Sequence, residues 1–311
     1  MRERKREILL AFILCFCIGL NAQEIPLADY KLKYPNDDAV FLKKKENTRI
    51  FFDDGKMKVE STHEEEMMVL TEKGVNYGER ELSEDFFVKI EDLKARSYEP
   101  DGKKFRKKEV TDFKRQTDVG GDSFYDDGST VSFIFAGLVP GAKTEMTYKE
   151  NINEPRFFGA AFFASYIPID EFEYTVEVPK NVTVNYKLFN TEKIKVEFTK
   201  EEKKKSTILS WKAHGLLRIK PESSAPSLRY TEPHLVVYIS EYNNNGKDSV
   251  LLKTPADLYR WYSSLVKDVN RNASPALQKI VDSLVTGETD EFEKVKKNIL
   301  LGAGQNFLHR F

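Results

Sequence analysis

Histidine is the side chain best suited to acid–base or metal chemistry near neutral pH, and this chain has four, at His63, His214, His234 and His309. None stands four residues from another, and no His-Glu-x-x-His stretch occurs, so no pair is spaced to grip a metal from one helix face. His63 precedes Glu64-Glu65-Glu66, a set that could ligate a cation, but on a strand these residues read as a solvated, charged face. His214 reads as structural, near a strand end. A thiolate nucleophile is missing beyond the N-terminal region, because the only cysteines are Cys15 and Cys17. No Gly-x-Ser-x-Gly turn presents a serine in its place.

Acidic and basic clusters remain. Asp118, Asp122, Asp126 and Asp127, interleaved with Gly120, Gly121 and Gly128, carry oxygens of the kind calcium takes. Their spacing fits neither an EF-hand nor a nonapeptide repeat, so an ordinary loop is the plainer reading and a calcium loop the alternative. Lys103, Lys104, Arg106, Lys107 and Lys108 read as a charged edge strand that resists aggregation. Lys203-Lys204-Lys205 reads the same way, at a hairpin tip. The stretch Phe157-Phe158-Gly159-Ala160-Ala161-Phe162-Phe163 is core, or else a binding patch. Gly302-Ala303-Gly304 follows no strand and has no third glycine at the right offset, so it is no nucleotide loop. Nothing here implies a cofactor.

These groups must be held by something, and the chain's composition says what. Of the 311 residues, 40% are apolar and 12% aromatic, enough for a large β-rich core. Lys and Arg number 49 against 50 Asp and Glu, which argues against a nucleic-acid binder. At the N-terminus, Arg2, Arg4, Lys5 and Arg6 precede an apolar run from Ile8 to Leu20, and Leu20-Asn21-Ala22 supplies small residues before Gln23. That is the pattern of a secretory signal over residues 1–22, cleaved between Ala22 and Gln23. It predicts an exported protein, periplasmic or at the cell surface. No later run approaches the length of a membrane span.

From about Asn47 to Tyr242 apolar and polar residues alternate with the period of a half-buried strand. Val131, Phe133 and Phe135 share a face, as do Phe172, Tyr174, Val176 and Val178; Val182, Val184, Tyr186 and Leu188; and Ile194, Val196 and Phe198. Asp53-Asp54-Gly55, Pro100-Asp101-Gly102 and Pro140-Gly141 mark turns between them. Many short strands with regular turns predict an antiparallel β-sandwich, with Trp211 in its core on a strand hairpinned to Ile194–Phe198. Asn243-Asn244-Asn245-Gly246 reads as a linker. Beyond it come three helix starts, at Thr254-Pro255, Ser274-Pro275 and Thr289-Asp290-Glu291. The fold class is therefore mainly β: a sandwich over residues 23–246, then a helical segment over 254–311.

Several stretches resemble the bacterial DUF3857 domain, a β-rich module that often precedes a transglutaminase-like domain in secreted proteins. They are Val69–Gly74, Ala95–Lys103, Phe133–Gly141, Trp211–Glu222 with Pro226, and Trp261-Tyr262. The resemblance covers about Asn47 to Lys297. A signal ending in Asn-Ala-Gln resembles those of Bacteroidetes-type bacteria. The resemblance implies a structural module and carries no catalytic residue onto this chain, because the Cys, His and Asp of such enzymes belong to the downstream domain.

Two readings of function follow. The first is a non-catalytic exported sandwich that binds a protein or peptide partner. The second is the front half of a transglutaminase- or protease-like enzyme, with the catalytic domain missing from this product. Residues from about Asn298 to Phe311 read as a frameshifted tail, since the third helix runs into Gly302 and Gly304, each costing about 1 kcal/mol relative to alanine. Whether the chain is an enzyme in any form is left open, with catalysis disfavoured.

Overall fold

The alternation of apolar and charged residues is strongest in two long strands, β1 (Ala39–Asp53) and β2 (Lys56–Val69), and these build the centre of the fold. They form a hairpin about Asp54 and Gly55, whose φ angles of 48° and 72° suit the mirror-image turn that matches strand twist. The computed structural model describes residues 27–117, 128–220, 222–268 and 274–304, with side chains as far as residue 300. In it the hairpin lies inside an eight-stranded sheet. The other members are β4 (Val88–Asp101), β5 (Lys104–Glu109), β8 (Lys143–Ile152), β10 (Ile169–Pro179), β12 (Glu197–Glu202) and β13 (Ser206–Leu216), in the order β12-β13-β10-β1-β2-β8-β4-β5. Only the β1–β10 contact is parallel; the other pairings are antiparallel.

The outer face of this sheet is polar, and opposite charges stand side by side on neighbouring strands. Lys45 lies 2.7 Å from Glu173, Lys212 2.9 Å from the same Glu173, and Arg96 2.5 Å from Glu145. Such cross-strand pairs contribute a few tenths of a kcal/mol each and keep the face wet. At one end α1 (Leu27–Lys33) covers it, packing Tyr30 on Val40, Met68 and Leu70. Asp170 accepts hydrogen bonds from the Tyr30 and Tyr34 hydroxyls and from Lys33, which fixes that helix. Burial and Asp170 together push the Tyr30 hydroxyl up to about 12.

The inner face is apolar and is covered by two small sheets. One comprises β9 (Ala160–Phe162), β11 (Val182–Phe189), β14 (His234–Asn244) and β15 (Lys247–Val250), with β14 pairing all three others. It packs Val182, Leu235, Val237 and Ile239 on Ile50, Tyr174, Val176 and Trp211. The other comprises β3 (Glu79–Glu84), β6 (Lys114–Thr117) and β7 (Ser129–Ile134), in the order β3-β7-β6. It brings Phe133 onto Ile90 and Met146. The fold is thus mainly β, antiparallel-dominated and sandwiched, as the patterning requires.

Two details of the strands differ from the sequence reading, and a third agrees with it. Asn243–Gly246 is no linker: it is the β14–β15 hairpin turn, with Asn245 at φ 52° and Gly246 at φ 81°. Asn-Gly tolerates positive φ, so the composition that suggests a linker serves equally for a tight hairpin. The hairpin to Trp211 starts later than expected, with Phe198 opposite Trp211, and Ile194 and Val196 packing from outside the strand. The basic run 104–108 does form an edge strand, β5.

Three helices follow: α3 (Pro255–Val266), α4 (Pro275–Val285) and α5 (Glu291–Gly304), numbered after the short α2 (Leu228–Thr231). Thr254 and Asp257 form a reciprocal capping box on α3, and Ser274 caps α4. On α5 the cap is Asp290 rather than Thr289, its carboxylate accepting from the backbone of Phe292 and Glu293. Gly302 does not break this helix, which runs on to Gly304. A glycine costs about 1 kcal/mol in a helix interior but does not forbid one.

Trp211 is fully buried among Tyr174, Tyr186 and Phe198. Trp211→Ala is expected to lower stability by about 3–5 kcal/mol, read as a fall in the denaturant midpoint at unchanged slope.

Candidate functional site

On the inner face of the large sheet, between the two apolar clusters that the small sheets cover, packing gives way to a polar seam. It runs across the inner face on residues directly opposite one another: Tyr174 on β10, Glu46 on β1, His63 on β2 and Tyr148 on β8. One register step away lie Lys44, Glu65 and Met146; on the other side, Thr48, Ser61 and Glu150. His63 is therefore not on a solvated face. The β2 alternation turns Ser61, His63, Glu65 and Met67 inward and leaves Glu64 and Glu66 outside. A run of three glutamates hides that split, because charge in a sequence does not say which face it is on.

The imidazole is held on three sides. Nε2 lies 3.2 Å from Glu150 Oε2, Nδ1 lies 3.9 Å from Glu46 Oε2, and the ring stacks on Tyr148 at 4.5 Å with the planes 4° apart. Beside it Glu65 pairs with Arg80 from β3 and, at 3.1 Å, with Lys44. The three acids are thus matched by three bases when His63 is protonated. Burial alone would lower His63, but the flanking Glu150 and Glu46 carboxylates raise it above its ordinary value. Burial pushes Glu46 up to about 7, although 23% of its side chain stays exposed and His63 opposes the shift. Burial opposes the ionisation of Glu65 too, but Lys44 and Arg80 outweigh it and hold Glu65 at about 2.

This cluster holds its charged groups in opposed pairs. Its carboxylates lie on opposite nitrogens of the ring, so they do not converge on one metal. Among the described residues no three His, Cys, Asp or Glu side chains do so. Ser61, the nearest hydroxyl on β2, is 1% exposed and shares a 2.7 Å hydrogen bond with Thr48. The cluster instead joins β3 of one small sheet to the large sheet through Arg80.

A second arrangement lies where the helices meet the sandwich. Glu154 caps the short 3-10 turn Pro155–Phe157 and also pairs with Arg156 at 2.8 Å. Phe157 packs on Phe87 at 4.6 Å and, edge to face, on Trp261 of α3 at 5.5 Å. The Arg156 guanidinium lies 5.2 Å from the Trp261 ring centre. One indole thus anchors α3. Much of the apolar stripes is left exposed: Leu258, Tyr262 and Leu265 on α3, Leu277 on α4, and Phe292, Val295 and Ile299 on α5, Phe292 to 73%, while Val281 and Leu284 of α4 are half-buried where α4 and α5 touch. Of the stretch 157–163, Phe158, Ala161 and Phe163 lie in the core, and Phe157 packs on Phe87 and Trp261 of the same chain.

Of the other residues singled out in the sequence, His214 is exposed near the end of β13, and His234 is buried, with Nδ1 2.9 Å from the Glu232 carbonyl. Asp118, Asp122, Asp126 and Asp127 lie outside the described residues, as do Ala22, Gln23 and His309. No described helix is long and apolar enough to cross a membrane.

Residues 55–220, more than half of the chain, match the family described as DUF3857, a domain of unknown function with a solved structure. The chain belongs to the DUF3857 family. Among solved structures it is similar to a protein titled a putative protease from Parabacteroides distasonis, with a TM-score of 0.61 and 17% identity over 85% of this chain and 50% of that one. At that identity the likeness shows a shared fold, and this DUF3857 chain spans about half the length of that protein. A two-domain M1 zinc metallopeptidase and a yeast LTA4 hydrolase align at TM-scores of 0.32 and 0.29, too low to carry an argument. No curated protein matches.

Two expectations follow. As pH falls from 4.5 toward 2, protonation removes the stabilisation from Glu65, whose folded pKa is lowered. As pH rises from 4.5 through about 7, ionisation of the desolvated Glu46 takes stability away, because its folded pKa is raised. Glu46→Gln should therefore flatten the decline in thermal midpoint between pH 5 and pH 8, and an equally steep decline in the variant would exclude this assignment. Trp261→Ala should leave the sandwich's unfolding midpoint within about 0.5 kcal/mol of wild type while speeding proteolysis between β15 and α3.

Proposed function

We propose that this protein is an exported, non-catalytic DUF3857 module that binds another protein domain through its helical segment. The observation that carries the reading is the set of exposed apolar residues on α3, α4 and α5, with α3 held to the sandwich at Trp261. Amphipathic helices draw their stability from packing the apolar face, not from propensity alone. Contiguous exposed apolar surface of this kind marks a protein interface. Well-formed caps at Thr254, Ser274 and Asp290 define helices whose stripes still lack a partner.

The partner domain on this reading is of the transglutaminase- or protease-like class. The family resemblance supports this, as does the fold shared with a longer protein titled a protease. The sandwich then orients the first helices of that domain, and the chemistry belongs to the partner. The absence of cysteine from Gln23 onward and the inaccessibility of Ser61 support the non-catalytic part. The basic start and apolar run of residues 1–20 support export.

Purified protein, assayed with fluorogenic peptides and for incorporation of a labelled amine into casein, is expected to show no turnover. Activity that copurifies with the protein through successive columns would overturn the reading.

A further inference from the structure

The sandwich is open along one side, between β11 of a small sheet and β12 of the large one. Among the described residues neither strand has a ladder partner on its outer side. The two free edges therefore flank a single opening, and their inward faces look across it. Val182, Val184 and Tyr186 come from β11, Phe198 from β12, and Val178 and Leu209 from the strands behind. Together they line a groove of about 360 Å3, within the range of ligand sites. Two aromatic rings line it, Tyr186 and Phe198, 5.2 Å from each other and 5.0 Å and 5.3 Å from the buried Trp211. Tyr186 and Phe198 each stay 41% exposed, so the groove is open to a ligand.

One end of the groove is basic. Lys180 and Lys200 both reach Glu202 there, which shares one carboxylate between two ammonium groups. The turn joining β12 to β13 adds Lys203, Lys204 and Lys205, all exposed. Five lysines thus stand at this end, and Glu202 pairs with two of them. As edge-strand charges they deter a second neutral or basic strand from pairing. They do not deter an acidic one.

We propose that this groove binds an extended peptide that adds as a strand beside β12, sets an apolar side chain against Tyr186 and Phe198, and places Asp or Glu residues against the lysines of the β12–β13 turn. Strand addition supplies main-chain hydrogen bonds for affinity, and alternate side chains in pockets supply selectivity. A one-sided lysine cluster fixes the direction of the peptide and makes binding salt-dependent. The site is separate from the helical stripes, so it stands or falls independently of the proposed domain partner.

The test is selection of a random heptapeptide display library on the full chain, followed by anisotropy titration of the enriched, fluorescein-labelled peptides. Enriched sequences are expected to carry an apolar centre with Asp or Glu on one flank. Affinity should fall about tenfold or more for Lys203→Ser/Lys204→Ser/Lys205→Ser, a change confined to an exposed turn, and similarly for Phe198→Ser. N-methylation of alternate peptide amides should abolish binding. Enrichment of no such peptide, or binding indifferent to the triple lysine variant and to N-methylation, would overturn the proposal. So would light scattering that shows a dimer broken by Phe198→Ser, since a second copy would then be the occupant.

Discussion

The whole structure depends on covering one apolar face. The eight-stranded sheet turns Ile50, Val59, Met67, Tyr174, Val176 and Trp211 to one side, and that side is wider than any single partner sheet in the chain. Burying such a face is the main favourable term in folding, at roughly 25 cal/mol per Å2. The chain meets the demand with two small sheets, one built from β9 and from strands after β10, and one from the segment between the 3-10 turn at Glu72–Gly78 and β8. The other features of the fold follow from that division.

Between the two covered clusters there is a seam, and the seam is where polar groups are tolerated. Lys44, Glu46, His63, Glu65, Arg80 and Glu150 occupy it as neighbours that can balance one another's charge. A buried ion cluster is weak evidence for stability, because desolvation offsets much of the attraction. Its role here is registry, since Arg80 ties β3 to Glu65 of β2 and so locates one cover on the sheet. Where the covers end, between β11 and β12, the aromatic interior is left open.

How far the sequence reveals this depends on the residue. Strands such as Phe172–Val178 announce themselves by period two, and Trp211 by its place within one. The caps of α3 and α4 are visible because Thr-Pro and Ser-Pro are specific. His63 was misplaced for a physical reason: three successive glutamates obscure the alternation, and the partners that enclose the ring, Glu46 and Glu150, come from strands 17 residues before and 87 after it. Asn243–Gly246 illustrates the converse, since one set of turn residues serves a linker or a tight hairpin and only the pairing of β14 with β15 decides. The exposure of the helical stripes is equally illegible, because an amphipathic pattern says that a face should be covered and not whether it is.

The central claim is that the helical segment is a presented surface, complete only when another domain covers it. Hydrogen–deuterium exchange on the purified chain tests it most directly. The account predicts slow exchange in β1, β2, β10 and β13, intermediate exchange around the Trp261 turn of α3, and exchange approaching that of an unpacked helix in α4 and α5. Protection of α4 and α5 equal to that of the central strands would contradict it.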